Sequence, residues 1–212
     1  MDWHDGPEVL RVFPSFVWKR KLATAARAAV RAAILEEVAA ERVGASDPEA
    51  GQVWQSRHGL HRLPALAPLV GHLRAGVVQV LELLRVGTAA FEITGLWVNV
   101  AAPGGAVRMH NHPNNFLSGV YYVQVQEGAD TINFHDPRPQ AAVVRPPVTE
   151  LTAYNTDQMV VRVEEGDLLV FPAWLSHSVD PNGSDRVRIS ASFNVMFSAY
   201  AETMSGPMWG ER

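Results

Sequence analysis

Two segments in the first 90 residues carry apolar residues at the spacing of an α-helix. The first, 22–43, is rich in alanine, repeats with a period of about 3.6 residues and is followed by Gly44, a common helix terminator. The second, 64–87, starts at a proline, which is favoured in the first helical turn. Before both, the apolar run 10–18 is interrupted by a proline and predicts an edge strand. The pattern therefore predicts a helical N-terminal region over 1–90.

From residue 91 onwards, short runs typical of β-strands replace the helical period. Runs rich in β-branched and aromatic residues alternate with glycine, proline, asparagine and aspartate. Several short strands at this spacing indicate a sandwich or a barrel, so residues 91–200 are predicted to form a β core that packs with the helices in one domain, 1–212. The predicted strands are 91–100, 118–125, 130–135, 141–145, 158–164, 167–172 and 186–197.

The last of these runs alternates cleanly between apolar and polar residues. A strand with one face in solvent would explain this pattern. A strand whose polar face lines the inside of a small barrel would explain it too, and there an arginine and a serine could bind a carboxylate. We favour the second interpretation, because the planar guanidinium matches a carboxylate with two hydrogen bonds. The polar face consists of Arg186, Arg188, Ser190, Ser192 and Asn194.

Composition and charge exclude several classes of function. The 212 residues include no cysteine, which rules out disulfides, zinc-thiolate sites and thiol nucleophiles. A net charge of −4 gives no electrostatic reason to expect nucleic-acid binding. The acidic N-terminus lacks a signal pattern, and no uninterrupted apolar run approaches about 18 residues. We therefore expect a cytoplasmic protein that does not enter a membrane; whether it forms a homodimer stays open.

Three histidines form a candidate metal site. His110 and His112 lie in A-P-G-G-A-V-R-M-H-N-H-P-N-N, and on an extended strand residues i and i+2 point to the same face. A short H-x-H pair is weak evidence alone, but His177 follows another apolar strand far downstream. Two close ligands and a distant third are typical of non-haem iron, although zinc also accepts three imidazoles. The sequence thus predicts one metal ion bound by His110, His112 and His177, and we favour iron.

A set of phrases along the chain resembles the 2-oxoglutarate/Fe(II) dioxygenase superfamily and, within it, a bacterial and phage group of 2OG-Fe(II) oxygenases with an H-x-H-P motif. The phrases occur in the family order between about residue 10 and residue 197. They are G-Q-V-W-Q-S, L-W-V-N, H-N-H-P-N-N-F-L-S-G-V-Y-Y-V, F-H-D-P-R, E-G-D-L-L-V-F-P-A-W-L-S-H and R-I-S-A-S-F-N.

This resemblance implies a mainly β fold, the double-stranded β-helix (jelly-roll or cupin-like), with N-terminal helices packed on it. It implies Fe(II) as cofactor, 2-oxoglutarate as co-substrate and hydroxylation of an unknown small-molecule or protein substrate. By the same resemblance, Arg188 binds the far carboxylate of 2-oxoglutarate and Tyr122 donates a hydrogen bond to it. Ser190 and Asn99 are expected to line the co-substrate pocket.

One position departs from the wider superfamily. The second ligand there is usually Asp or Glu, whereas this chain has His112. A carboxylate would offset part of the charge of the iron, and an imidazole does not. Asp136 is the nearest alternative carboxylate, but we interpret it and His135 as turn residues after a strand and not as ligands.

A cupin is the main alternative. Gly104 to His110 matches the start of the first cupin motif, but the usual Glu after it is absent. Gly166, Pro172 and His177 match the second motif, except that Trp174 replaces a glycine. Such a protein would share the fold and the metal site without consuming 2-oxoglutarate, either as a metal-binding module, as a three-histidine dioxygenase or as an inactive scaffold. The phrase R-I-S-A-S-F-N favours the oxygenase.

Overall fold

The computed structural model describes residues 8–10, 12–44, 48–87 and 90–201, without the side chains of 141, 142 and 201. In these ranges two long helices precede most of the β structure. The helices are α1 (Thr24–Glu41) and α2 (Ala67–Leu83), and a short α3 (Ser198–Ala201) follows the last strand. The strands are β1 (Trp18–Lys21), β2 (Val53–Gln55), β3 (Phe91–Ala101), β4 (Val107–His110), β5 (Leu117–Gln124), β6 (Thr131–His135), β7 (Gln158–Arg162), β8 (Asp167–Pro172), β9 (His177–Val179) and β10 (Arg188–Phe197).

The described strands form two antiparallel sheets. The large sheet has the order β1-β8-β5-β10-β3-β2, and the small sheet has the order β4-β9-β6-β7. Their inner faces pack on each other around a small apolar cluster that includes Ile132, Phe134 and Phe171. This is the predicted mainly β architecture. It also shows that β1 and β2, which come from the N-terminal region, complete the large sheet at its two edges.

The helices cover the outer face of the large sheet. Apolar residues of α1 and α2 form one buried cluster with the apolar faces of β3 and β10, which alternate as the sequence predicts. Gly76 permits close contact between α2 and the sheet, because a Cβ there would lie 2.8 Å from a Leu168 side-chain carbon. The polar faces of β3 and β10 consequently point inward, towards the small sheet.

Helix α2 is strongly apolar. By length and composition alone, Pro64–Leu83 could cross a membrane, with a mean hydropathy of 1.2. This is weak evidence, because the core helix of a folded domain passes the same test. Leu69, Leu73, Val77 and Val80 are buried in the cluster under the sheet, which accounts for the apolar stripe of this helix.

Two predicted strands differ from the structure. The segment 141–145 forms no strand: a 3-10 turn occupies Pro139–Ala142, and Val143 and Val144 are exposed. Pro146 and Pro147 follow, and proline has no N–H to donate to a sheet. The edge strand predicted at 10–18 is present, but it pairs over Trp18–Lys21, and Arg11 lies outside the described residues.

Candidate active site

The three predicted histidines come together at one end of the small sheet. Ring centroids are 4.4 Å apart for His110 and His177, 5.0 Å for His110 and His112, and 5.2 Å for His112 and His177. One nitrogen from each ring lies within 4.8 Å of the others, and no other group of three potential ligands meets this criterion in the described ranges. The cluster therefore has the dimensions of a single metal site.

The local structure that brings these rings together differs from the prediction at one residue. His110 ends β4 and His177 begins β9, and the two are directly paired across the strands. His112 lies two residues beyond the end of β4, where its backbone N–H donates to the Ala173 carbonyl at 2.9 Å. The expectation that His110 and His112 share one strand face is therefore wrong, and a turn, not the pleat of a strand, directs His112 to the cluster.

Two of the three rings have a fixed tautomer. The Nδ1 atom of His110 lies 2.8 Å from the Arg108 carbonyl oxygen, and Nδ1 of His177 lies 2.9 Å from the Leu175 carbonyl oxygen. A carbonyl only accepts hydrogen bonds, so each Nδ1 must carry the proton and each Nε2 has a free lone pair. A histidine that binds a metal through one ring nitrogen usually donates such a hydrogen bond from the other. His112 has no such hydrogen bond among the described residues.

The electrostatic environment favours neutral rings. Burial, and to a smaller extent the neighbouring His177, His110 and His58 rings, lowers the pKa of His112 to about 3. Burial lowers the pKa of His177 to about 4, against the opposing effect of the hydrogen bond to the Leu175 carbonyl. Both imidazoles are therefore unprotonated at neutral pH, as metal ligation requires.

The predicted carboxylate-binding residues lie on the opposite wall, on the large sheet. Ser190 of β10 pairs with Asn99 of β3 on one side and with Tyr122 of β5 on the other, so the three form a row across adjacent strands. Arg188 precedes Ser190 on the same inward face of β10, and its guanidinium carbon lies 5.3 Å from the centre of the Tyr122 ring. The structure thus places all four residues, Arg188, Tyr122, Ser190 and Asn99, in the wall of the cavity that contains the histidines.

Two buried polar groups in this wall have no acceptor in the described part of the chain. Arg188 is 5% exposed, makes no ion pair there, and its Nε has no hydrogen bond. The Tyr122 hydroxyl donates to no acceptor there. Burial raises the pKa of Tyr122 to about 12, although the Arg188 charge and a hydrogen bond from the Arg188 side chain act in the opposite direction. Of the described residues that line the cavity, none is Asp or Glu. The cavity therefore contains a buried cation and a phenol donor with no acceptor among the described residues.

The sequence analysis missed two residues beside this row, Gln55 and Trp97. Gln55 of β2 donates from Nε2 to Asn99 Oδ1 at 2.8 Å, and Asn99 donates from Nδ2 to Ser192 Oγ at 2.9 Å. Trp97 also lines the cavity and stacks on His58. The alternation of β3 could have identified Trp97, because it lies two residues before Asn99. No sequence signal pairs Gln55 with Asn99, because their strands are far apart along the chain.

Asp136 and His135 are not part of the histidine cluster. Asp136 follows β6, but the interpretation of His135 as a turn residue is wrong, because His135 is the last residue of β6 and pairs with Gln158. The carboxylate of Asp136 accepts hydrogen bonds from the backbone and guanidinium of Arg138. His135 pairs through Nε2 with the Ser178 hydroxyl at 2.9 Å. Both side chains are therefore engaged elsewhere.

The cavity itself has room for more than a metal ion. Its volume is about 620 Å³, which includes the part open to solvent. The histidines of the small sheet form one wall, the polar row of the large sheet forms the other, and Gln55 lies at the exposed edge.

Comparison with known proteins agrees with this architecture. The profile of the family described as "Putative 2OG-Fe(II) oxygenase" matches residues 95–194. A search of curated proteins finds no match.

Solved structures share the fold at low sequence identity. The α-ketoglutarate-dependent carbocyclase SnoK from nogalamycin biosynthesis is 18% identical, with a TM-score of 0.63 over 93% of this chain and 90% of its own. A Pseudomonas putida prolyl-4-hydroxylase is 17% identical, with a TM-score of 0.56 over 85% and 92%. HygX from Streptomyces hygroscopicus, crystallised with nickel and 2-oxoglutarate, is 11% identical, with a TM-score of 0.59 over 87% and 83%.

The matched segment, 95–194, contains all three histidines and the row from Tyr122 to Arg188, and the similar structures extend the shared fold over most of the chain. Residues 95–194 match the 2OG-Fe(II) oxygenase family, and the chain has the double-stranded β-helix fold of the similar structures.

Proposed function

We propose that this chain is a 2-oxoglutarate-dependent oxygenase whose Fe(II) is held by His110, His112 and His177 and whose co-substrate carboxylate is bound by Arg188. The observation that carries the proposal is the pairing of two features across one cavity. A buried cation without a counter-charge faces a cluster of three imidazoles. A divalent metal and a dicarboxylate would satisfy both walls at once.

The donor set fits the metal. Three neutral imidazoles suit Fe(II), and three protein ligands leave coordination positions for a co-substrate and oxygen. The carbonyls of Arg108 and Leu175 hold two of the rings with Nε2 free. His112 takes the position at which the wider superfamily has a carboxylate, and the H-x-H-P motif of the narrower group is consistent with that assignment.

The opposite wall fits 2-oxoglutarate. Burying an arginine without a counter-charge costs free energy, so a ligand anion is the expected partner of Arg188. The guanidinium can bind a carboxylate with two parallel hydrogen bonds, and the Tyr122 hydroxyl can donate a third. Ser190, between Tyr122 and Asn99, can donate its hydroxyl proton to the same group.

When bound, Fe(II) and 2-oxoglutarate supply the oxidative chemistry of this family, in which the co-substrate and oxygen are consumed. The protein contributes binding and orientation. The histidines would hold the metal at the small sheet, and Arg188 would bind the far carboxylate at the large sheet. Asn99, held between Gln55 and Ser192, provides a fixed polar surface beside it.

The test measures iron content, 2-oxoglutarate binding and succinate formation for the wild type and four single variants. His110→Ala and His177→Ala should lose iron, and His112→Ala should bind it much less tightly. His135→Ala is the control, because this histidine is near the cluster but bonded to Ser178. It should retain iron.

Two outcomes would contradict the proposal. If His112→Ala keeps full iron content and turnover, the three-histidine assignment is wrong. If iron-loaded wild type neither binds 2-oxoglutarate nor forms succinate, the cupin-type alternative is favoured.

A further inference from the structure

His112 is the only one of the three proposed ligands whose ring has no hydrogen bond in the described part of the structure. His110 and His177 are each anchored through Nδ1 to a carbonyl two residues earlier in the chain. The final torsion of a histidine side chain is broad and roughly two-fold, so a ring without such an anchor is free to turn unless packing restricts it. Something other than a hydrogen bond must therefore set the orientation of His112.

An aromatic stack lies against His112. The Trp97 ring centroid is 5.9 Å from that of His112, with the planes inclined by 56°. Trp97 in turn stacks on His58, with centroids 4.5 Å apart and planes only 9° from parallel. Both separations are within the range of favourable aromatic pairs. We call these two residues the His58–Trp97 stack.

Hydrogen bonds attach the segment that carries His58 to β3. The His58 carbonyl accepts from the Leu96 N–H at 2.9 Å, which attaches the segment after β2 to β3. Ser56 adds a second attachment, because its hydroxyl accepts from the Val98 N–H at 2.9 Å and its own N–H donates to the Val98 carbonyl at 3.0 Å. His58 is therefore fixed relative to the strand that carries Trp97.

The N-terminal helix supports the same segment. The backbone N–H of Arg57 donates to the Glu41 carboxylate at 3.0 Å, and the Arg57 side chain pairs with the same carboxylate at 3.2 Å. Contacts thus continue from α1 through Arg57, His58 and Trp97 to His112. This links the helical region to the candidate metal centre.

We propose that the His58–Trp97 stack is a positioning element that holds the His112 imidazole in the orientation needed for metal binding. It replaces, for this ligand, the carbonyl anchor of the other two. The inference rests on the proposed function, since it requires His112 to be a ligand. Loss of an outer support of a metal ligand typically reduces metal affinity by about 10–100-fold.

The experiment uses Co(II) as the probe, with affinity measured by chelator competition and geometry followed by the visible absorption of bound Co(II). His58→Ala removes the outer ring of the stack, and His58→Phe restores a flat ring without its nitrogens. His72→Ala is the matched control, because this half-buried histidine lies on α2 and has no ring contact with Trp97 or His58 among the described residues. His112→Ala measures the contribution of the ligand itself.

We expect His58→Ala to bind Co(II) about 10-fold or more weakly and to change its spectrum. His58→Phe should restore both, and His72→Ala should match the wild type. Unchanged affinity and spectrum in His58→Ala, with His112→Ala impaired, would overturn this inference alone. Failure of His58→Phe to restore binding would also overturn it. Wild-type Co(II) affinity in His112→Ala would instead overturn the ligand assignment.

Discussion

Replacing Arg188 by methionine separates a functional role from a structural one. The change removes a cation that is 5% exposed and makes no ion pair in the described structure, while keeping an unbranched side chain in its place. If the cation is present to bind a co-substrate, its removal should weaken 2-oxoglutarate binding and leave the metal-free protein at least as stable. If Arg188 served only to stabilise the fold, its removal would leave 2-oxoglutarate binding unchanged and lower the stability.

The magnitudes follow from the contacts. A hydrogen bond to a charged group contributes about 1.5–3 kcal/mol, so the dissociation constant of 2-oxoglutarate should rise by about 10- to 150-fold. Relieving the desolvation of the guanidinium stabilises the metal-free fold, whereas losing its contact with the Tyr122 ring costs about 0.5–2 kcal/mol. We expect a net change in the free energy of unfolding between zero and about 2 kcal/mol in the stabilising direction.

The assay combines calorimetric titration of the Co(II)-loaded protein with 2-oxoglutarate and urea unfolding of the metal-free protein. Arg186→Met is the control, because Arg186 is exposed two residues before Arg188 and does not line the cavity. It should alter neither quantity. An Arg188→Met protein that binds 2-oxoglutarate normally and unfolds more easily would refute the reasoning.

Three further predictions concern the same walls. Tyr122→Phe should change stability little, because the hydroxyl donates to no acceptor in the described protein, and should weaken 2-oxoglutarate binding by about 2- to 12-fold in the same titration. Gly119→Ala should lower the free energy of unfolding by about 1–3 kcal/mol in urea, because the added Cβ would overlap the Phe193 ring; an unchanged midpoint would contradict this. Burial lowers the pKa values of His112 and His177 from 6.5 to about 3 and about 4, so the unfolded chain takes up protons that the folded metal-free chain does not. The urea midpoint of the metal-free protein should therefore be lower at pH 5 than at pH 7, and equal midpoints would argue against buried neutral rings.

Local periodicity alone was enough to predict much of this architecture. The alternation predicted over 186–197 correctly separated an apolar face, which packs under the helices, from a polar face that lines the cavity with Arg188, Ser190 and Ser192. Arg186 and Asn194, predicted on the same polar face, do not line the cavity, and Arg186 is exposed before β10 begins. The two helices could be predicted for the same reason, since their apolar stripes reflect one packing face each. The motifs also identified the three histidines that the structure brings together.

Only the tertiary structure shows which strands pair and where the segments between them run. The segment 141–145 has strand composition but forms no strand, and its valines remain exposed. His112 reaches the cluster from a turn beyond β4, and Gln55 reaches Asn99 because β2 pairs with β3. The His58–Trp97 stack likewise joins residues from separate elements. The amino-acid pattern determines which face of each helix or strand is apolar, because this face is set by residues close together in the sequence. Which faces pack together depends on contacts between residues distant in the sequence, and no local periodicity encodes these contacts.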